Sequence, residues 1–143
     1  MSIEDRRNIA RRYLHLLPLG RVRELPLSGR FSAWSSLSGE MSGAEFLDRI
    51  VVLPKIFSPP LRFSIEAITA EGEQVAVQCQ SRGTLIDGRP YDNEYHYLML
   101  FEQDRLLKVF EYMNVTKAQE LFRVLQAARS PVTGGAGEVT QRF

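Results

Sequence analysis

The sequence predicts an α+β fold, in which a curved sheet from the second half of the chain wraps around helices from the first half. The first observation is a change of period. Apolar residues recur at helical spacing as far as Leu53, and from Leu61 onward they alternate with polar residues as in a strand. The second observation is a series of turn signals that divide the alternating region into a meander: Glu71-Gly72-Glu73, Asp87-Gly88 and, more weakly, Gln103-Asp104. Helices followed by a meander of long strands are typical of α+β folds.

The first half is predicted to contain two helices, over residues 3–17 and 43–53. Each starts at a serine that can cap the helix, with an acidic residue three positions later: Ser2 with Asp5, and Ser42 with Glu45. Each ends where a proline interrupts the helical pattern: Pro18 and Pro54. Residues 21–41 between the helices are rich in Gly, Ser and Pro, and we expect them to be irregular.

The second half is predicted to contain four long antiparallel strands, which begin near residues 61, 74, 90 and 106. A closing helix follows over residues 116–127, where apolar side chains again recur at helical spacing. From residue 130 onward the chain is rich in Gly and Thr. We therefore predict one domain over residues 1–129, followed by a flexible tail over residues 130–143.

The third strand is expected to carry a row of side chains suited to a pocket. Side chains alternate between the faces of a strand, so one face holds the following residues in order: Tyr91, Asn93, Tyr95, Tyr97, Met99 and Phe101. Each tyrosine combines an apolar ring with a hydroxyl, which suits the wall of a small-molecule pocket. Aromatic residues also favour ordinary strands, so a packed core remains the alternative interpretation of this row.

Composition argues against several classes of function. A net charge of +1 over 143 residues gives no excess of charge for binding nucleic acid or an anionic membrane. The single cysteine, Cys79, excludes an internal disulfide, and two isolated histidines without spaced acids argue against a metal site. The sequence has neither an apolar run of membrane-spanning length nor a signal peptide pattern. We expect a cytoplasmic protein with no cofactor, no metal, no nucleic-acid partner and no membrane partner.

The spacing of seven residues resembles that of the SnoaL-like polyketide cyclases: Gly88, Asn93, Tyr95, Phe101, Lys108, Glu111 and Tyr112. These cyclases belong to the nuclear transport factor two-like superfamily, together with ketosteroid isomerases and limonene epoxide hydrolases. The resemblance covers residues 61–122 well and residues 3–57 loosely. It implies a cone-shaped sheet, antiparallel or mixed, that encloses an apolar pocket, and a homodimer formed through the outer face of the sheet.

The resemblance also implies catalytic positions, and several of them carry amides here. Tyr13 matches the tyrosine with which the isomerases polarise a carbonyl, and Tyr97 matches their second donor. The isomerases' general base has no match, because no acid lies between Glu24 and Glu40. The acids of the epoxide hydrolases and cyclases match amide residues, which keep the shape of a carboxylate but not its basicity: Gln78, Gln80 and Asn114.

These matches define the candidate site. Tyr13, Tyr97 and Asn114 are the catalytic candidates. The ligand-binding candidates are side chains expected to line the same pocket: Trp34, Gln78, Gln80, Asn93, Tyr95, Met99 and Tyr112. The two glutamines are equally compatible with exposure on the outer face of the sheet.

The other face of the third strand carries Glu94, His96, Leu98 and Leu100. A monomer would expose the two leucines, which favours a homodimer through this face. Glu111 has the opposite strand parity to the site candidates Tyr112 and Asn114, so we expect its side chain to face outward.

Two functions from different classes are compatible with these patterns. The favoured one is a pocket that binds, and in an enzyme converts, a small apolar or aromatic molecule with a carbonyl or hydroxyl group. An enzyme would be isomerase-like or cyclase-like and would rely on tyrosine hydroxyls to stabilise an oxyanion. The alternative is a non-catalytic, dimeric binding or scaffold module of the same fold. The absence of the expected carboxylate bases favours the alternative, whereas the tyrosine row favours the pocket.

Overall fold

The computed structural model describes residues 1–129 as a cone-shaped, curved sheet wrapped around helices. The helices are α1 (Ile3–Leu16), α2 (Gly43–Ile50), α3 (Leu53–Ile56) and α4 (Val115–Arg129). The strands are β1 (Leu27–Ser35), β2 (Gly39–Ser42), β3 (Arg62–Glu71), β4 (Gln74–Thr84), β5 (Pro90–Glu102) and β6 (Arg105–Met113). Two single turns of 3₁₀ helix, Leu17–Leu19 and Val22–Glu24, connect α1 to β1.

Within the described residues, the strands form a mixed sheet in the order β2-β1-β6-β5-β4-β3. All neighbouring strands are antiparallel except β1 and β6, which are parallel. The three long hairpins of the second half place β5 in the middle of the sheet, where both of its edges are paired. The side chains of β5 therefore lie at the centre of each face.

The core lies between the inner face of the sheet and the helices. On β5 every second side chain is buried, and Tyr97 and Met99 have no exposed surface. Neighbouring strands place apolar residues directly opposite them, with Val77 paired to Tyr97 and Val109 paired to Met99. Because burying apolar area contributes about 25 cal/mol per Å², these cross-strand layers supply much of the folding free energy.

α1 closes the inner face because its apolar residues form one stripe. Ile9, Ala10, Tyr13 and Leu14 are buried, whereas Arg11 and Arg12 lie exposed on the opposite side of the helix. The ring of Tyr13 meets the ring of Tyr97 edge-on, with centroids 5.9 Å apart. This contact anchors the first helix to the central strand.

The structure confirms the predicted α+β class, the first helix, the four long strands and the closing helix. The predicted second helix is shorter and ends at Ile50, before the separate turn of α3. The expectation that residues 21–41 are irregular is wrong, because β1 and β2 lie there. Their inward positions are occupied partly by small or polar residues such as Ala33 and Ser35, so the apolar alternation of a strand is weak. The predicted tail over residues 130–143 lies outside the described residues.

The packing of α2 on β1 depends on a glycine. Gly43 is the first residue of α2 and follows Ser42, whose hydroxyl caps the helix by accepting a hydrogen bond from the Glu45 N–H at 3.1 Å. A Cβ atom at Gly43 would lie 2.4 Å from the carbonyl oxygen of Phe31, which is a backbone atom of β1. A side chain at this position would therefore force α2 away from the sheet.

We expect Gly43→Ala to lower the free energy of unfolding by about 1–3 kcal/mol, because the methyl group overpacks a backbone contact. Gly29→Ala is the matched control, since a Cβ atom there meets no atom within 4 Å. The control should stay within about 1 kcal/mol of the parent chain. Urea unfolding of both variants measures the difference, and equal free energies for the two variants would contradict the close packing of α2 on β1.

Candidate functional site

The pairing of β5 with β6 brings a carboxylate into the interior. Tyr97 and Glu111 are directly opposite each other in this antiparallel pair, so their side chains share the inner face. The Tyr97 hydroxyl donates a hydrogen bond to Oε2 of Glu111 at 2.5 Å. Such a short distance is typical of a hydroxyl bound to a charged oxygen.

The interior changes the acidity of this carboxyl group. Burial raises the pKa of Glu111 from 4.5 to about 7, and the hydrogen bond from Tyr97 opposes part of that rise. Near neutral pH the group is therefore divided between its acid and base forms. This is the condition that favours general acid–base catalysis.

Glu111 is half-buried and lines two partly enclosed cavities on the inner face of the sheet. The larger has a volume of about 50 Å³ and is mostly apolar, with walls that include Leu61, Tyr95, Met113 and Ala118. That volume holds a few water-sized groups and is below the roughly 300–1,000 Å³ of typical ligand sites. A drug-sized ligand would therefore have to displace part of the wall.

The smaller cavity has a volume of about 20 Å³ and lies on the other side of Glu111. Tyr13, Ser35 and Ser38 are among its lining residues. Burial and the neighbouring Glu111 raise the pKa of Tyr13 well above its usual value. Burial, again with Glu111, raises the pKa of Tyr97 well above its usual value. Both tyrosines therefore keep their protons at neutral pH and act as neutral hydrogen-bond donors.

A buried polar network supports the wall of the larger cavity. The hydroxyl groups of Tyr95 and Ser81 share a hydrogen bond of 2.9 Å. Asn93 donates to the Tyr91 hydroxyl at 2.8 Å and to the backbone carbonyl of Asn114 at 3.1 Å, and it accepts from the Asn114 N–H at 3.1 Å. These bonds fix the junction between β6 and α4.

The structure brings five of the predicted site residues into the interior: Tyr13, Asn93, Tyr95, Tyr97 and Met99. Tyr13 and Tyr97 lie beside Glu111, and Tyr95 lines the larger cavity. Asn93 supports the network described above, and Met99 is part of the packed core. The row of side chains predicted on the third strand is thus found on the inner face.

Of the other five predicted residues, Asn114 and Tyr112 are exposed, which corrects their expected placement in the interior. Gln78 and Gln80 take the outer-face placement, one of the two that the sequence left open, and Trp34 is half-buried. Gln78 and Gln80 are exposed on the outer face, where both donate to the carboxylate of Glu66, at 3.0 and 2.6 Å. Asn114 is also exposed, and its side-chain oxygen accepts from the Lys117 N–H at 3.2 Å, as expected of a residue that caps α4.

The two remaining residues are aromatic and belong to the outer face. Tyr112 is 46% exposed, and the Trp34 ring packs against it with centroids 5.0 Å apart. Strand alternation turns both rings outward, since their neighbours Ser35 and Glu111 point inward. Trp34 is nevertheless half-buried and is one of the residues that line the smaller cavity.

The expectation that Glu111 faces outward is wrong for the same reason. It followed from assigning Tyr112 and Asn114 to the pocket. One signal in the sequence identifies the outward parity of this strand. Lys108 has the same parity as Phe110 and Tyr112, and a lysine belongs on the solvated face, so Glu111 is left on the inner face. Lys108 indeed extends to Glu40 at 2.7 Å on the outer side.

Two further classes of site are absent from the part of the chain that the structure describes. Residues 1–129 contain no group of three or more His, Cys, Asp or Glu side chains that could hold a metal ion. In the same residues, every helix is too short or too polar to cross a membrane.

Comparison with solved structures finds the same architecture in proteins of very different sequence. PrhC from Penicillium brasilianum superposes with a TM-score of 0.74 at 17% identity, over 90% of this chain and 95% of that one. A protein from a Jannaschia species, provisionally assigned as a SnoaL-like polyketide cyclase, gives 0.67 at 18% identity, over 92% and 96%. A nuclear transport factor two-like protein from Anabaena variabilis gives 0.68 at 15% identity, over 79% and 89%.

The chain therefore has the nuclear transport factor two-like fold, as the resemblance in its sequence implied. No family model matches the sequence, and no curated protein sequence matches it. At these identities the likeness establishes the fold and leaves the activity to be argued from the site.

We expect the folded protein to become less stable as pH rises, because the interior favours the neutral form of Glu111. Between about pH 4.5 and about pH 7 the folded chain holds a proton that the unfolded chain has lost, and above that range it contains a buried charge. The raised pKa corresponds to at most about 3 kcal/mol between the two extremes.

Urea unfolding at about pH 5 and about pH 8 measures this change. Glu111→Gln should remove most of it, because an amide does not titrate. Glu71→Gln, at an exposed position, is the control and should keep the parent's pH dependence. Identical pH profiles for Glu111→Gln and the parent would contradict a raised pKa.

Proposed function

We propose that this chain is an acid–base enzyme of the isomerase or cyclase type, acting on a small apolar or aromatic carbonyl compound. The observation that carries the proposal is the Glu111 carboxyl group, which lies against an apolar cavity with a pKa of about 7 and a hydrogen bond from Tyr97. The structural likeness to a protein assigned as a polyketide cyclase supports the same class.

The reaction that fits this site begins with enolisation. The Glu111 carboxylate removes a proton from the carbon next to the substrate carbonyl, and the electron pair of that C–H bond forms the enolate. Tyr13 is the donor available to an enolate oxygen that reaches the smaller cavity, since its hydroxyl is protonated and its side chain lines that cavity together with Glu111. The enolate then recovers the proton from Glu111 at another carbon, or its carbon attacks a second carbonyl of the same substrate, whose C–O π bond opens and whose oxygen takes the proton back from Glu111.

Tyr97 has a different part in this scheme. A phenol has one proton, and Tyr97 directs it to Glu111, so it is not free to donate to the substrate at the same time. Tyr97 therefore acts as a positioning residue that orients the base. It also holds the pKa of Glu111 below the value that burial alone would produce.

A second candidate function is a non-catalytic binding module of the same fold. The observation that favours it is the small size of the larger cavity, about 50 Å³. The buried carboxyl group argues for the enzyme, because an ionisable group in an apolar interior lowers stability and is typical of functional sites.

We expect the chain to catalyse exchange of the α-protons of small aryl ketones with deuterium, because enolisation makes those protons exchangeable. Proton nuclear magnetic resonance in deuterated water measures the rate. Glu111→Gln should lower it by about 10²–10⁴-fold through loss of the base. Tyr13→Phe should lower it by about 10²–10³-fold through loss of the oxyanion donor.

Glu71→Gln serves as the control and should exchange at the parent's rate. Ketones that bind without any catalysed exchange would favour the binding module. Full activity in Glu111→Gln would contradict the assignment of the base.

We further propose that two copies of the chain associate through the outer face of the sheet. An outer patch of apolar side chains supports this arrangement: Trp34, Leu98, Leu100, Phe110 and Tyr112. Contiguous aromatic and aliphatic surface of this kind is typical of protein interfaces. A symmetric dimer would bring the same patch of each copy together.

Sedimentation velocity at micromolar concentration is expected to give the mass of a dimer for the parent chain. Leu98→Lys should shift it to a monomer, because it places a charge in the centre of the outer patch. Ile86→Lys is the control, since Ile86 is 60% exposed but lies in the β4–β5 turn, away from the patch. A monomeric parent chain would overturn this proposal.

A further inference from the structure

A groove on the surface lies between the C-terminal half of α1 and the beginning of β3. Its volume of about 400 Å³ falls within the range of about 300–1,000 Å³ that is typical of small-molecule sites. We refer to it as the α1–β3 groove, defined by the residues that line it on both sides: Arg11, Leu14, His15, Arg62, Phe63 and Ile65. Pro59 and Pro60 also line it.

The α1–β3 groove adjoins the larger interior cavity. Pro18, Leu61 and Phe63 line both, so these three apolar side chains form the wall between them. A molecule seated in the groove would thus be separated from the larger cavity by these three side chains. A substrate in the groove would have to displace only this shared wall to reach the larger cavity.

The rim of the groove is positively charged. Arg11, His15 and Arg62 line it, and none of its lining residues is acidic. Arg11 contacts Glu4 at 3.4 Å and donates to the side-chain oxygen of Asn8 at 2.6 Å. Glu4 also pairs with Arg7 at 3.2 Å, so one carboxylate is shared between two guanidinium groups and leaves a net positive charge. Within residues 1–129, Arg62 forms no salt bridge.

The floor of the groove is apolar. Leu14 and Leu61 are buried beneath it, and Ile65 keeps 38% of its surface exposed beside the charged rim. An occupant that satisfies both parts needs an apolar body for the floor and an anionic group for the rim. Arginine binds carboxylates with paired, nearly parallel hydrogen bonds, which makes a carboxylate a well-matched anion.

We propose that the α1–β3 groove binds the carboxylate of an amphiphilic substrate, whose apolar, carbonyl-bearing end passes the wall of Pro18, Leu61 and Phe63 to reach Glu111. The inference rests on the proposed function of the cavity and narrows its substrate class to small apolar keto acids. Arg11 and Arg62 hold the carboxylate at the rim. The proton transfer takes place at the opposite end of the molecule.

The test compares two probes with the same carbon skeleton, hydrocinnamate and hydrocinnamyl alcohol, which differ in the carboxylate. Isothermal titration calorimetry is carried out on the parent chain and on an Arg11→Gln, Arg62→Gln double variant. Arg12→Gln is the matched control, because Arg12 is exposed on the same helix but does not line the groove.

A separate variant tests the larger cavity. Ala118→Leu places a larger side chain into that cavity from α4. Ala127→Leu is its control, because Ala127 is exposed on the same helix.

We expect hydrocinnamate to bind the parent chain and Arg12→Gln about tenfold more tightly than the alcohol does. In the arginine double variant the two probes should bind equally, at the affinity of the alcohol. Equal binding of both probes to the parent, a carboxylate preference that survives in the double variant, or no binding of either probe would overturn the inference.

The variants also separate the two proposals. If the arginine substitutions abolish the carboxylate preference and Ala118→Leu weakens neither probe, the anion site stands and the proposed function of the cavity fails. If Ala118→Leu weakens both probes and the arginine substitutions change nothing, the groove inference fails alone.

Discussion

The register between β5 and β6 determines what the interior of this protein can do. It places Tyr97 opposite Glu111, so a single carboxyl group lies among apolar side chains with a hydroxyl group held against it. Because strand side chains alternate, a slip of one residue would turn Glu111 to the outside and bring Tyr112 in. The register is constrained by a bulge at Leu107 and by the hydrogen bonds between Asn93 and the backbone of Asn114. The proposed chemistry therefore depends on strand pairing as much as on the identity of the acid.

The sequence is sufficient to predict the strands whose alternation is uninterrupted. On β5 every inward residue was assigned to the correct face, because Tyr91, Tyr95 and Tyr97 alternate with polar residues and burial keeps that alternation as far as Phe101. Alternation alone does not fix which β6 residues face inward, because Leu106 and Leu107 are adjacent and both apolar, so a period of two does not reveal the bulge between them. Aromatic residues did not resolve the ambiguity, since this sheet carries them on both faces. β1 was missed because its inward positions include Ala33 and Ser35, and long-range pairing with β6 compensates for their weak preference.

In the proposed enzyme, the α1–β3 groove would bind most of the substrate, and the cavity beside Glu111 would hold the reacting carbon. The cavity next to Glu111 holds only a few atoms, whereas the α1–β3 groove has room for most of a small molecule. Contacts made in the groove supply binding energy that can offset the cost of displacing the wall at Leu61 and Phe63. Placing the charged end of a substrate in the groove also keeps a second carboxylate away from Glu111. Two like charges in the same apolar site would raise the pKa of Glu111 further and weaken it as a base near neutral pH.

Because the first residue before α4 is held in place, the helix can tilt about that end, and its later residues move further than its first ones. Asn114 caps the helix and is bound through its backbone to Asn93, while Ala118 and Leu121, further along, cover the larger cavity. With a rise of 1.5 Å per residue, Leu121 lies about 10 Å from the pivot, so a tilt of about 10° would displace it by about 2 Å. Substitutions toward the far end of α4 would thus change which molecules are admitted without disturbing the geometry around Glu111. In related proteins with this fold, substitutions in α4 would then change which molecules enter the cavity, while the proposed proton transfer at Glu111 stayed the same.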